Sequence, residues 1–120
     1  MPFVRFHLPE SVSDEYRDAI CAATQAALVR SLGVPEQDLF QIVHRHREGD
    51  LRADPTWPGT LRREQVLFIE MLMSRGYDDA TKAGMYTAVA DGLEACGVRR
   101  EDVFIAVTEN GGGDWMAGTA

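Results

Sequence analysis

The stretch Gly33-Val34-Pro35-Glu36-Gln37-Asp38-Leu39-Phe40-Gln41-Ile42-Val43 returns as Gly97-Val98-Arg99-Arg100-Glu101-Asp102-Val103-Phe104-Ile105-Ala106-Val107. At a constant separation of 64 residues Gly33, Val34, Asp38, Phe40 and Val43 all recur without a gap, and Asp14, Ala19 and Ala26 recur at Asp78, Ala83 and Ala90. The chain reads as a tandem duplication. The same separation sets the opening stretch Pro2 to Leu8 against Val66 to Leu72, so Pro2 matches Val66. One half can present an amino-terminal proline and the other cannot.

Working outward, residues 2–8 alternate, with Pro2, Val4, Phe6 and Leu8 on one face and Phe3, Arg5 and His7 on the other, the period of a strand. From about Ser13 to Leu32 the spacing changes to that of a helix. Tyr16, Ile20, Ala23, Ala27 and Leu32 form its face, Ser11 or Ser13 caps its start, and Gly33 ends it. Phe40 to His46 forms a second strand. The order repeats as a strand over 66–73, a helix over about 78–96 stopped by Gly97, and a strand over 103–108. Each half, about 1–46 and 64–108, is therefore β-α-β. The fold class expected is α+β: one domain with a four-stranded sheet and both helices on one face, since a helical crossover makes each strand pair parallel. The apolar run Val66 to Met73 predicts a sheet that is apolar on both faces, whose bare face is buried by oligomerisation. Residues 47–63 form a long connection, a length more often functional or partner-contacting than idle. The tail, 109–120, is expected to be flexible from Gly111 until Trp115 anchors it.

A chain of 120 residues suits one domain, and each half alone would bury too little surface. A net charge of −7 excludes nucleic acid or an anionic membrane as a main partner, since both need a basic surface. There is no apolar run long enough to cross a bilayer, and Arg5 and His7 interrupt any signal-peptide core. Cys21 and Cys96 read as small core residues of a cytoplasmic protein. Eleven of the twelve basic residues are arginine, and Arg45, Arg47, Arg52, Arg62 and Arg63 fall in one stretch. These read as a solvated loop, although arginine is the side chain suited to a bidentate grip on a carboxylate. His44 and His46 share a strand face but have no further ligand at suitable spacing, so they read as polar strand residues and no metal is expected. Lys82, the one lysine, reads as solvated.

Met1-Pro2, two β-α-β units, Gly33-Val34-Pro35 with Asp38, and Phe40-Gln41-Ile42-Val43-His44 together resemble the tautomerase superfamily, whose fold is also described as MIF-like. Ser74-Arg75 after the third strand, and Thr108-Glu109-Asn110 followed by Asp114-Trp115, resemble its malonate semialdehyde decarboxylase branch. The resemblance implies a homotrimer and a cofactor-independent enzyme whose catalytic amine is the nitrogen of Pro2, exposed by removal of Met1. A secondary amine suits the task because an apolar pocket lowers its pKa toward that of a base and a carboxylate raises it toward that of an acid. Asp38 is the candidate carboxylate, although Asp102 occupies the matching turn in the half without the proline. The resemblance gives Arg75 the substrate carboxylate; at a separation of 64 its counterpart is Ser11, so the duplication does not itself require an arginine there. Phe40, Tyr77 and Trp115 complete the candidate substrate-binding set. The branch has a second arginine where this chain has Tyr77, and a longer tail than the one ending at Ala120.

These residues imply an isomerase or lyase acting on a small oxo acid, by decarboxylation or hydration as in the malonate semialdehyde decarboxylase branch. A keto-enol tautomerase of a 2-oxo acid such as phenylpyruvate is an alternative. A non-catalytic trimeric binding protein on the same scaffold is the other, favoured by Tyr77.

Overall fold

The computed structural model describes residues 2–62 and 65–118. Met1, whose removal the sequence reading requires, and Arg63 of the arginine-rich stretch lie outside the described residues, as does Glu64 at the start of the second half. The elements run β1 (Phe3–Pro9), α1 (Asp14–Leu32), β2 (Gln41–His46), β3 (Leu67–Ser74), α2 (Asp79–Ala95) and β4 (Val103–Asn110), with single 3-10 turns at Arg100–Asp102 and Gly112–Asp114. The sheet order is β2-β1-β3-β4. β1 is parallel to β2, β3 is parallel to β4, and the two halves meet through the antiparallel pair β1 and β3. The fold is thus the duplicated β-α-β arrangement read from the sequence.

Local chemistry sets the element ends. The hydroxyl of Ser13 accepts the Tyr16 N–H and the carboxylate of Asp78 accepts the Thr81 N–H, each satisfying one of the free donors of a first helical turn. Gly33 closes α1 in the left-handed region at φ 70°, where its N–H reaches Val29 O. α1 buries Ile20, Thr24, Ala27 and Leu28, and α2 buries Met85, Val89, Ala90 and Leu93. Thr24 and Leu28, rather than Ala23, are thus the deepest part of the α1 face. Together with Val4, Phe6 and Leu8 of β1 and Leu67, Ile69, Met71 and Met73 of β3, the side chains of Ile20, Ala27, Leu28, Met85, Val89 and Leu93 make one shared core.

The burial pattern corrects the register of the duplication. Val4, Phe6 and Leu8 face the core, but a separation of 64 would match them with Phe68, Glu70 and Leu72 on the opposite face. The caps Ser13 and Asp78 lie 65 apart, as do the buried pairs Ile20 and Met85, Thr24 and Val89, and Leu28 and Leu93. From Gly33 and Gly97 onward the separation is 64, with Val34 and Val98 both buried. The second helix has lost one residue near its end, α1 having 19 residues and α2 17. Pro2 therefore matches Leu67, and Arg75 matches Glu10; Val66 and Ser11 are not their counterparts. The sequence matches of Asp14, Ala19 and Ala26 at 64 are coincidences of composition.

The open face of the sheet is mixed rather than apolar. Phe3, Ile42, Phe68, Leu72 and Phe104 share it with Arg5, His7, His44, His46 and Glu70. His7 joins three strands: its Nε2 lies 2.6 Å from the Glu70 carboxylate and its Nδ1 2.8 Å from His46 Nε2. The His44 ring stacks on His7 with centroids 5.0 Å apart. Among the described residues there is no group of three or more His, Cys, Asp or Glu able to hold a metal.

The hydrogen bond from His7, with smaller help from the charges of His7, Arg5 and His44, holds the Glu70 carboxyl below its usual range. A depressed carboxyl stabilises the fold above its unfolded pKa and loses that contribution as pH falls through the folded value. Glu70→Gln should therefore cost up to ~1 kcal/mol near neutrality, the carboxylate being largely exposed, and nothing once the wild-type group is protonated. Urea unfolding across the acid range checks this; a constant difference between the two proteins would refute the ion-pair origin.

Candidate active site

Strand register decides which of the candidate residues meet. In the antiparallel pair Phe3 lies opposite Leu72, and one residue earlier Pro2 comes opposite Met73. In the parallel pair Val4 matches Gln41, and the Val4 N–H donates to Phe40 O at 3.0 Å, so Pro2 is flanked on its other side by Leu39. Pro2 is buried between two strands at the middle of the sheet. Arg75 follows β3 directly, and its backbone N–H extends the ladder to Asn110 O at 2.8 Å. Pro2, the 38–40 turn, Arg75 and the chain after Asn110 thus share one end of the sheet.

The turn carrying Asp38 closes through the Asp38 N–H to Pro35 O at 3.0 Å. It is tied to α1 by Gln25, whose Nε2 donates to the carbonyls of Asp38 at 3.0 Å and Glu36 at 3.3 Å. Asp38 is half-buried, and among the described residues its carboxylate has no hydrogen bond or ion pair. Its repeat counterpart differs: Asp102 is buried and lies 3.6 Å from Arg99. Both turns close through the same backbone hydrogen bond, the Asp102 N–H reaching Arg99 O at 3.0 Å, and the aspartates differ in that Asp102 is buried beside Arg99 whereas the Asp38 turn is tied to α1 by Gln25.

Arg75 is exposed and makes no ion pair among the described residues. Its guanidinium lies against Gly111, where an added Cβ would sit 3.3 Å from Nη1. Gly111 is fixed by its N–H donating to the Asp114 carboxylate at 2.8 Å, which winds Gly112–Asp114 into a 3-10 turn. The tail is therefore wound into a turn held by the Asp114 carboxylate before it reaches Trp115. Trp115 is half-buried. Its indole Nε1 and the amide Oδ1 of Asn110 are buried without partners among the described residues. Among the described residues this end of the sheet thus carries a guanidinium outside any ion pair, the side chain suited to a bidentate grip on a carboxylate.

The other candidates divide. Phe40 is 44% exposed at the edge of this region. Tyr77 is half-buried against the core cluster, which spends its ring on packing and leaves no second cation in place of the arginine expected there. Lys82 is not solvated: its Nζ meets Glu109 Oε1 at 2.7 Å with only 18% of the side chain exposed, tying α2 to the end of β4. Gln25, Gly111 and the Lys82–Glu109 pair were missed because each is defined by a partner distant in sequence. The glycine run before Asp114 was the one local signal.

A profile of the tautomerase enzymes matches residues 38–118, and a second, also described as tautomerase enzyme, matches residues 2–60. The chain belongs to the tautomerase superfamily. It is similar to the FG41 malonate semialdehyde decarboxylase inhibited by 3-bromopropiolate, with 36% identity, a TM-score of 0.92, and 97% of this chain and 88% of that one covered. A second malonate semialdehyde decarboxylase structure, from work on decarboxylase and hydratase activities, is 30% identical with a TM-score of 0.89, covering 97% and 90%. The probable tautomerase YusQ of Bacillus subtilis (strain 168) is 27% identical over 98% of this chain and 94% of its own.

The packing of Arg75 on Gly111 can be tested directly. Gly111 has a φ of −96°, so alanine is permitted by the backbone and acts only through its methyl. Gly111→Ala should displace the guanidinium and weaken carboxylate binding about threefold to tenfold, up to ~1.4 kcal/mol, with unchanged thermal stability. Titration of both proteins with a small carboxylate measures it.

Proposed function

We propose that this tautomerase-superfamily protein is an enzyme for small oxo acids that works without a cofactor, through the amine of Pro2 after removal of Met1. The observation that carries the reading is the strand register, which brings Pro2, the Asp38 turn, Arg75 and Trp115 to one end of the sheet. In the proposed reaction Arg75 holds the substrate carboxylate, and Phe40 and Trp115 form its walls. For a 3-oxo acid, cationic Pro2 polarises the carbonyl; the electron pair of the breaking carbon–carbon bond passes into an enol, carbon dioxide leaves, and a proton returns to carbon. Asp38 positions the prolyl ammonium or activates water for hydration. The likeness to malonate semialdehyde decarboxylases at 36% and 30% identity supports this substrate class.

A second reading, keto-enol tautomerisation of a 2-oxo acid such as phenylpyruvate, is favoured by Tyr77. With its ring packed on the core, one guanidinium remains to fix the acid, enough to anchor it but not to twist a scissile carboxylate out of plane. Both reactions pass through an enol-like species, and neutral Pro2 favours the tautomerase.

Intact-mass measurement reports whether Pro2 is free. Pro2→Ala keeps an amine in the same place and should retain part of the activity on malonate semialdehyde or on the enol of phenylpyruvate; a retained methionine should abolish it. Arg75→Ala should cost on the order of 2 to 5 kcal/mol in kcat/KM. Full turnover by the blocked protein would move the chemistry to other residues.

We further propose that the protein is a homotrimer, in which the open face, with Ile42 exposed and Phe3, Phe68, Leu72 and Phe104 half-buried, meets neighbouring protomers. A symmetric trimer is described for a structure with a TM-score of 0.80 and 17% identity, which supports the fold basis of this assembly. Sedimentation at micromolar concentration should give the trimer mass, and a monomer would remove the proposal.

A further inference from the structure

The pseudo-twofold relating the halves gives the sheet two equivalent ends. At one, the start of β1 meets the end of β3 and carries Pro2 and Arg75. At the other, the start of β3 meets the end of β1, with the connection after β2 folded over it. That second end holds a cavity of about 860 Å³. Leu51, Val66 and Phe68 contribute apolar wall, and Arg47, Arg52 and Arg62 line the same space.

The arginines crowded into this part of the sequence are sorted by the structure into two roles. Arg45 is structural, donating to Val12 O at 2.6 Å and to the Asp14 carboxylate at 2.7 Å. The three at the cavity are not neutralised in this way. Arg47 reaches Asp50 only at 3.9 Å, with its side chain 83% exposed. Arg52 donates Nε–H to Gly49 O at 3.1 Å and has no carboxylate partner among the described residues. Arg62 donates to the Asp54 and Trp57 carbonyls and lies over the Phe104 ring, yet its Nε is buried without an acceptor among the described residues. Glu10 and Glu48 line the same cavity and Asp50 stands beside Arg47, so the local charge is mixed, but neither Arg52 nor Arg62 has a carboxylate within ion-pair distance among the described residues.

We propose that this cavity is a second carboxylate-binding site, selective for an organic acid with an apolar body, that binds without turning over. The strand-tip cation of the first end has no equivalent here, since Arg75 corresponds to Glu10; the connection supplies arginines in its place. No amine is available, because the residue matching Pro2 is Leu67, held in a peptide bond within β3. Glu10, Glu48 and His46 also line the cavity and narrow its preference to ligands with one compact negative group. The proposal does not rest on chemistry at Pro2.

Phenylacetate, an apolar carboxylate that cannot tautomerise or lose a 3-oxo carboxyl, is the probe. In two-dimensional amide NMR of the assembled protein it should shift Gly49, Leu51, Ala53 and Val66, with a saturation curve of its own. Arg52→Ala should weaken this response at least about tenfold while leaving any shifts at Gly111 and Trp115 and the turnover of oxo acids unchanged. Arg75→Ala should leave the connection response intact, which separates failure of this site from failure of the Pro2 reading. A native-like spectrum for Arg52→Ala away from the connection establishes that it folds, and Arg47→Ala gives an independent second loss of affinity. Absence of shifts at the connection up to millimolar phenylacetate, an undiminished response in both arginine variants, or loss of the response in Arg75→Ala would overturn the proposal.

Discussion

The antiparallel register of β1 against β3 is the constraint on which everything else depends. It joins the halves, and it sets the start of one strand beside the end of the other. The helices then close one face because each parallel pair needs a crossover, and the long apolar side chains of β3 fill the space between. A one-residue slip would carry Val4, Phe6 and Leu8 to the open face and His7 into the core, exchanging buried hydrocarbon for a desolvated imidazole. The register is therefore strongly specified by burial, and the position of Pro2 relative to Arg75 is specified with it.

The duplication and all six regular elements were legible in the sequence, because Gly33 and Gly97, the caps and the switch from period two to helical spacing are local signals. The exact match between halves was not. Eight identities at a separation of 64 spoke for one register, but those upstream of Gly33 were chance agreements among Ala and Asp, and only the alternation of buried residues shows that β1 and α1 match at 65. Asp38 was legible as a turn residue and ambiguous in role; its difference from Asp102 appears only when their partners are seen. The packing of Tyr77, the pairing of Lys82 with Glu109 and the bridge from His46 through His7 to Glu70 all join residues far apart in sequence, where no periodicity can report them.

Correct register also changes what the duplication says about charge. Arg75 and Glu10 occupy equivalent strand tips, so the two ends of the sheet are opposite in sign at the same point of the fold. A strand tip is an easy place to change charge, because the side chain leaves the core and no ladder hydrogen bond depends on it. The scaffold tolerates either sign there, and in the proposed readings binding character is set by the segments folded beside each tip: the tail with Gly111 and Asp114 at one end, the arginines of the connection at the other.

Position within the sheet explains why only a chain terminus could supply the proposed chemistry. β1 is an inner strand, so Pro2, immediately before it, lies between two neighbours and is shielded from water, whereas the start of an edge strand would be solvated on one side. Proline is tolerated there because the first residue of a strand need not donate to the ladder. Leu67 holds the same inner position in the other half, but its nitrogen is an amide and has no basic lone pair. In the proposed reading a buried secondary amine at the centre of a sheet therefore requires that the chain begin there, and a tandem duplication can provide only one such beginning in each protomer.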